Sequence, residues 1–220
     1  MTKPFAVIFD MDGVIVDSNP YHKIALRQFA KKYGYDLSDQ YMLEKIYGRT
    51  NKDWITNLFG VLPSEKLHEL IEEKEELYRQ LFKNDIKPVR GLVSFLEALE
   101  RHHIPRAIGT SAPHSNVTFT LGSTHTGHFF ETILDDSFVT EGKPNPEIYL
   151  KCAAALKMPP AQCIVIEDSL SGVKAGRSAG CSVVGITTTH TKAELNEAHF
   201  VIEDFEGLDP FFMMEQCQKS

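Results

Sequence analysis

Five short, almost wholly apolar runs punctuate the chain: Phe5 to Phe9, "RAIGTS" (106–111), "CIVIEDS" (163–169), "SVVGIT" (182–187) and "HFVI" (199–202). A strand that is apolar throughout, rather than at alternate positions, is covered on both faces, as in a parallel sheet. Helical patterns stand between the later runs. Leu92, Phe95, Leu96 and Leu99 mark one; Ile148, Cys152, Ala155 and Leu156 mark another, with Asn145 as its N-cap and Pro146 at its first helical position. Strands alternating with helices predict an α/β fold with helices on both faces of a parallel sheet. Sites in such sheets lie beyond the carboxyl ends of the strands. Asp10, Thr110 and Asp168 all fall there.

The stretch after the first run breaks the alternation. "SNPYHKIALRQFAKKYG" offers Ser18 or Asn19 as a cap, Pro20 at the start, Ala25, Phe29 and Tyr33 four apart, and Gly34 as a stop. "SEKLHELIEEKEELYRQLF" repeats Leu67, Leu70, Ile71, Leu77, Tyr78 and Leu81, a stripe that Lys74 interrupts. Trp54, Ile55 and Leu58 give the segment between them an apolar side, and the "EEKEE" run (72–76) is expected to be a solvated helix face. The predicted organisation is a Rossmann-like core, residues 1–15 and 91–220, with an all-helical domain, residues 16–90, inserted after the first strand.

Composition narrows the function classes. With 42% hydrophobic and 24% charged residues among 220, the chain can bury a core and keep a solvated surface. A net charge of -7 argues against nucleic-acid or anionic-membrane partners. No apolar stretch approaches the roughly 20 residues of a membrane span, and Asp10 and Asp12 interrupt the one early apolar run, unlike a secretory leader. Cys152, Cys163, Cys181 and Cys217 lack metal-type spacing and are expected to be reduced, buried thiols. The expectation is a cytoplasmic monomer.

The chemistry starts at "FDMDGV". Two aspartates one residue apart end a buried strand, and Gly13 then lets the backbone turn. If the chain stays extended through Met11, both carboxylates point the same way. A second acidic pair, Glu167-Asp168, ends another apolar run. Carboxylates converging without basic partners repel strongly, and a hard divalent cation with oxygen ligands, Mg²⁺ above all, resolves that. Lys143, held in "GKPNPEIY", is the candidate fixed charge. Thr110 and Ser111 end the "IGTS" run, where a hydroxyl and backbone N–H groups could bind a phosphate.

In order, "FDMDGV", "GTS", "GKPNPEIY" and "IEDSLSGVKAG" resemble the four motifs of the haloacid dehalogenase superfamily, over essentially the whole chain. The helical insertion resembles the cap of the subgroup that holds β-phosphoglucomutase and small sugar-phosphate phosphatases. The resemblance implies that Asp10 attacks phosphorus to form an aspartyl-phosphate, and that Asp12 protonates the leaving oxygen and then deprotonates the acceptor. It also implies a Mg²⁺ site made by Asp10, the backbone carbonyl of Asp12, Glu167 and Asp168, with Thr110, Ser111 and Lys143 binding the phosphate of a small phosphorylated substrate. Asp12 favours phosphoryl transfer over carbon–halogen cleavage, since only the former has a leaving oxygen to protonate.

Within the subgroup, His22 resembles the mutase histidine that would contact the second aspartate and the hinge. "YGRTNKD" (47–53) resembles the specificity loop, with Gly48, Arg49, Thr50 and Asn51 as candidate substrate contacts. The mutase pattern places an arginine where this chain has Asn51, and Ser-Lys where it has Ala112-Pro113-His114. A mutase must grip two phosphates, so these departures favour a phosphatase of a small sugar phosphate. A β-phosphoglucomutase is the alternative, followed by a non-catalytic phosphate sensor.

Overall fold

Residues 4–46 and 51–219 are described by the structure, a computed structural model. The described chain divides into two compact units, one of residues 1–17 and 86–220, the other of residues 18–85.

The larger unit is built on six parallel strands: β1 (Ala6–Phe9), β2 (Arg106–Gly109), β3 (Thr132–Leu134), β4 (Cys163–Glu167), β5 (Ser182–Ile186) and β6 (Phe200–Ile202). Their order across the sheet is β3-β2-β1-β4-β5-β6. From β1 the chain steps outward to β2 and β3, then returns to lay β4 against the other side of β1. The β1/β4 crevice is therefore the switch point at which open α/β sheets place their sites. Register sets Phe9 beside Ile166 there. Every residue of β1, β2 and β4 is buried, which explains why these three are apolar but for Arg106 at the start of β2 and Glu167 at the end of β4. β3 is a three-residue edge strand with each residue only partly buried, too short and too exposed to stand out in the sequence.

The connecting helices of this unit are α5 (Leu92–Arg101), α6 (His114–Thr124), α7 (Glu147–Ala155), α8 (Leu170–Ser178) and α9 (Pro210–Gln218). α7 begins at Glu147 rather than at Pro146. Pro146 takes the N-cap position expected for Asn145, and Asn145 Oδ1 accepts from the Glu147 N–H at 3.0 Å just before the helix. Ile148, Tyr149, Cys152 and Ala153 of α7 join Ile8, Val165, Val173 and Val183 in one buried cluster, and burying each such aliphatic side chain contributes on the order of 1.5–3 kcal/mol. All four cysteines are buried and free.

The smaller unit contains α1 (Asn19–Lys32), α2 (Asp39–Lys45), α3 (Asn51–Phe59) and α4 (Ser64–Phe82), an insert consistent with a cap. Ser18 stands at the N-cap position of α1 without a side-chain capping bond, Pro20 lies in its first turn, and Gly34 with φ +83° follows its end. Leu26, Phe29, Met42, Trp54, Ile55 and Leu70 form its apolar centre.

One expectation about α4 is overturned. The "EEKEE" run is not a solvated face, because Lys74 is 6% exposed and Glu75 2% exposed. Lys74 Nζ donates to Glu75 Oε1 at 2.8 Å and lies 3.0 Å from His22 Nδ1. Two opposite charges that satisfy one another can be buried where either alone could not. None of the described helices is long and apolar enough to cross a membrane.

Candidate active site

β1 ends at Phe9, and Asp10 continues the ladder by one bond, its N–H donating to Ile166 O at 3.0 Å. The chain does not stay extended through Met11. It folds over at once, with Ile15 N–H donating to Met11 O at 2.8 Å and Gly13 N–H to Val16 O at 2.8 Å. Gly13 has φ +78°, and a Cβ there would lie 2.0 Å from Asp168 Oδ2, so both conformation and space demand glycine. A tight turn at residues 11–16 thus takes the place of the extended backbone. Asp12 is half-buried on that turn, near enough to disfavour the charge on Asp10.

Asp10, Glu167 and Asp168 are buried and present carboxylate oxygens within 4.8 Å of one another. Lys143 reaches between two of them, its Nζ donating to Asp10 Oδ1 and to Glu167 Oε1, each at 2.7 Å. Glu167 Oε1 also accepts from the Tyr149 hydroxyl at 2.7 Å. Its other oxygen takes the Ser169 N–H at 3.0 Å and the Ser169 hydroxyl at 2.9 Å. Ser169 in turn caps α8, accepting from Gly172 N–H at 3.0 Å. Gly172 is required because a Cβ there would fall 1.7 Å from Glu167 Oε1.

The electrostatics follow from three carboxylates and one ammonium. Burial drives Asp10 up to about 7 against the pull of Lys143, with Glu167 and Asp12 adding to the rise. Burial and then the charges of Glu167 and Asp10 push Asp168 well above the usual carboxylate range. Burial works against the charge of Glu167 too. The Lys143 ammonium and the hydrogen bonds from Lys143, Tyr149 and Ser169 nevertheless hold it below its ordinary value. Lys143 loses by burial but is raised overall by Asp10 and Glu167, so it stays charged. The one ammonium thus keeps Glu167 below its ordinary value, whereas Asp10 and Asp168 are raised overall. An all-oxygen donor set, buried and deficient in positive charge, fits a hard divalent cation such as Mg²⁺.

Thr110 and Ser111 follow β2, one strand over at the same sheet edge. Thr110 is buried, with its N–H donating to Leu134 O at 3.0 Å and its Oγ1 accepting from Ala112 N–H at 3.1 Å. Ser111 is exposed, and α6 begins only at His114. His22 and Asn51 belong to the helical unit. His22 stacks on Tyr78 with ring centroids 3.7 Å apart. Asn51 Nδ2 donates to Glu75 Oε1 at 2.9 Å, and its Oδ1 accepts from Trp54 Nε1 at 2.9 Å. Gly48, Arg49 and Thr50 lie outside the described residues. Tyr149, Ser169 and Thr189 touch the acidic cluster without having been singled out in the sequence. Tyr149 closes the "GKPNPEIY" stretch that holds Lys143, six residues before it, and that stretch could have marked it.

A cavity of about 430 Å³ opens beside the strands β5 and β6, lined by Thr187, Thr189, His190, Lys192, Val201 and Glu203 among others. No member of the acidic cluster lines it.

Comparison with known proteins agrees with this geometry. The haloacid dehalogenase-like hydrolase profile matches residues 7–186. A phosphorylated carbohydrates phosphatase of Thermotoga maritima is 32% identical over 176 residues, 80% of this chain and 81% of that protein. A β-phosphoglucomutase of Bacillus subtilis is 31% identical over 191 residues, 82% of each. The crystal structure of a HAD hydrolase, family IA, variant 3, from Entamoeba histolytica superposes with a TM-score of 0.89 at 32% identity, covering 97% of this chain and 99% of that one.

Proposed function

The chain belongs to the haloacid dehalogenase-like hydrolase family as a phosphohydrolase, and on that premise we propose that it hydrolyses the phosphate monoester of a small sugar. Asp10 attacks phosphorus and forms an aspartyl-phosphate, which splits one hard displacement into two. Asp12, on the adjoining turn, gives a proton to the departing sugar oxygen and takes one from the water that attacks the intermediate. Lys143, already bonded to Asp10, offsets the repulsion between an anionic nucleophile and an anionic phosphoryl group. Thr110 and Ser111 face the phosphate oxygens from the neighbouring strand. Asp10, the Asp12 backbone carbonyl, Glu167 and Asp168 would hold Mg²⁺, which when bound supplies charge neutralisation at the phosphate. The helical insert, residues 18–85, serves as the cap.

The observation that carries this reading is the meeting of Asp10, Lys143, Glu167 and Asp168 at the β1/β4 crevice. The similarity to a phosphorylated carbohydrates phosphatase supports the substrate class. A second reading, a sugar-phosphate mutase, is favoured by the similarity to β-phosphoglucomutase. Against it, Asn51, standing where the mutase pattern has an arginine, spends both amide atoms on Glu75 and Trp54.

The test is ³¹P NMR of the protein with Mg²⁺, β-glucose 1-phosphate, a trace of glucose 1,6-bisphosphate and a panel of other sugar phosphates. Free phosphate from any member is the expected result. Glucose 6-phosphate accumulating without free phosphate would instead establish the mutase.

A further inference from the structure

The loop that leaves β5, residues 187–191, reads Thr-Thr-Thr-His-Thr, a run of hydroxyls that none of the four motifs includes. Two of these hydroxyls reach two parts of the acidic site at once. Thr188 Oγ1 donates to the Gly13 carbonyl at 2.5 Å. The Thr189 hydroxyl donates to Oδ2 of Asp168. These two acceptors belong to groups that press on one another, since a Cβ at Gly13 would meet Asp168 Oδ2 at 2.0 Å and Asp168 Cγ at 2.3 Å. Consecutive threonines therefore hold the two sides of one close contact: the turn that follows Asp12, and the acid that follows β4.

The loop is itself tied down at both ends. Thr187 N–H donates to Ile202 O of β6 at 3.0 Å. At the far end Thr191 and Glu194 cap each other, Thr191 N–H donating to Glu194 Oε2 at 2.8 Å and Glu194 N–H to Thr191 Oγ1 at 3.3 Å. Hydroxyls presented from such a loop are fixed in space rather than free to follow a carboxylate.

We propose that Thr189 is a positioning residue for Asp168, and that Thr188 fixes the Gly13 turn against which that carboxylate rests. The proposal rests on reading the acidic cluster as a divalent-cation site. A carboxylate that ligates a cation through one oxygen has its rotation set by what the other oxygen accepts, and such outer partners govern affinity. Asp168 especially needs one, because Glu167 and Asp10 stand within 4.8 Å and repel its charge. The Thr189 hydroxyl on Oδ2 fixes the rotation of the Asp168 carboxylate and so the direction from which it meets the cation.

The test uses Mn²⁺ alone as a paramagnetic substitute for Mg²⁺, with free Mn²⁺ read by electron paramagnetic resonance and no substrate present. It compares wild type, Thr189→Val and Thr189→Ser, each first shown to be folded by a cooperative melt without metal. Where valine disturbs the fold, Thr189→Ala takes its place. The expected result is Mn²⁺ affinity about tenfold weaker in Thr189→Val and largely restored in Thr189→Ser, which keeps the hydroxyl. Equal affinity in Thr189→Val and wild type overturns the proposal, as does a serine variant as weak as the valine one. A wild type that binds no Mn²⁺ overturns the cation reading and this proposal with it, whatever the sugar-phosphate panel shows.

Discussion

Two lysine side chains are buried among the described residues, one in each unit, and their surroundings differ in one respect. Lys74 in the helical unit meets one carboxylate, Glu75, with His22 and Asn51 completing the polar contacts. Its charges close. Lys143 in the sheet unit meets a cluster of three buried carboxylates and bonds only Asp10 and Glu167. Its charges do not close. A balanced buried pair is a structural device, whereas a buried excess of one sign calls for an ion or a charged ligand. The same residue type at the same depth thus marks architecture in one unit and chemistry in the other.

The contrast can be broken by experiment. Chelating divalent metal should take turnover of a responsive sugar phosphate below detection, with recovery on adding Mg²⁺; activity that persists with chelator would remove the need for a second cation. Lys143→Met should lower kcat/KM by about 10²–10³, the usual effect of losing a preorganised charge on a reacting oxyanion, measured at saturating Mg²⁺. Lys74→Met should instead act on the fold. It strands Glu75 and should cost about 3 kcal/mol in urea unfolding, and most of that loss should return in Lys74→Met/Glu75→Leu. A double variant no more stable than the single would show that the pair is not a closed unit. The smallest effect belongs to Tyr149→Phe, which removes one donor from Glu167 and should cost about 1.5 kcal/mol, read in the same unfolding experiment.

The central strands and their end residues were legible in the sequence because burial on both faces confines polar residues to the strand ends, as with Arg106 and Glu167. Asp10, Lys143, Glu167 and Asp168 came with them, since each is pinned to a strand end or a proline-held loop. Three things were not legible, each for its own reason. β3 is short and partly exposed, so its three residues carry little signal. Lys74 and Glu75 sit in a charge run whose local composition looks solvated; their burial depends on His22 and Asn51, 52 and 24 residues distant. The Thr188 and Thr189 bonds close over sequence separations of 175 and 21, and threonines after a strand otherwise look like ordinary turn residues.

The measurement that bears most directly on the central claim is turnover of Asp10→Asn with Mg²⁺ on the sugar phosphate that the wild type hydrolyses fastest, beside circular dichroism to show that the variant is folded. Asparagine keeps the shape of the side chain and removes the anionic oxygen that attacks phosphorus. The account predicts a folded protein without detectable phosphate release. Near-normal release from the folded variant would contradict it, because Asp10 could not then be the nucleophile.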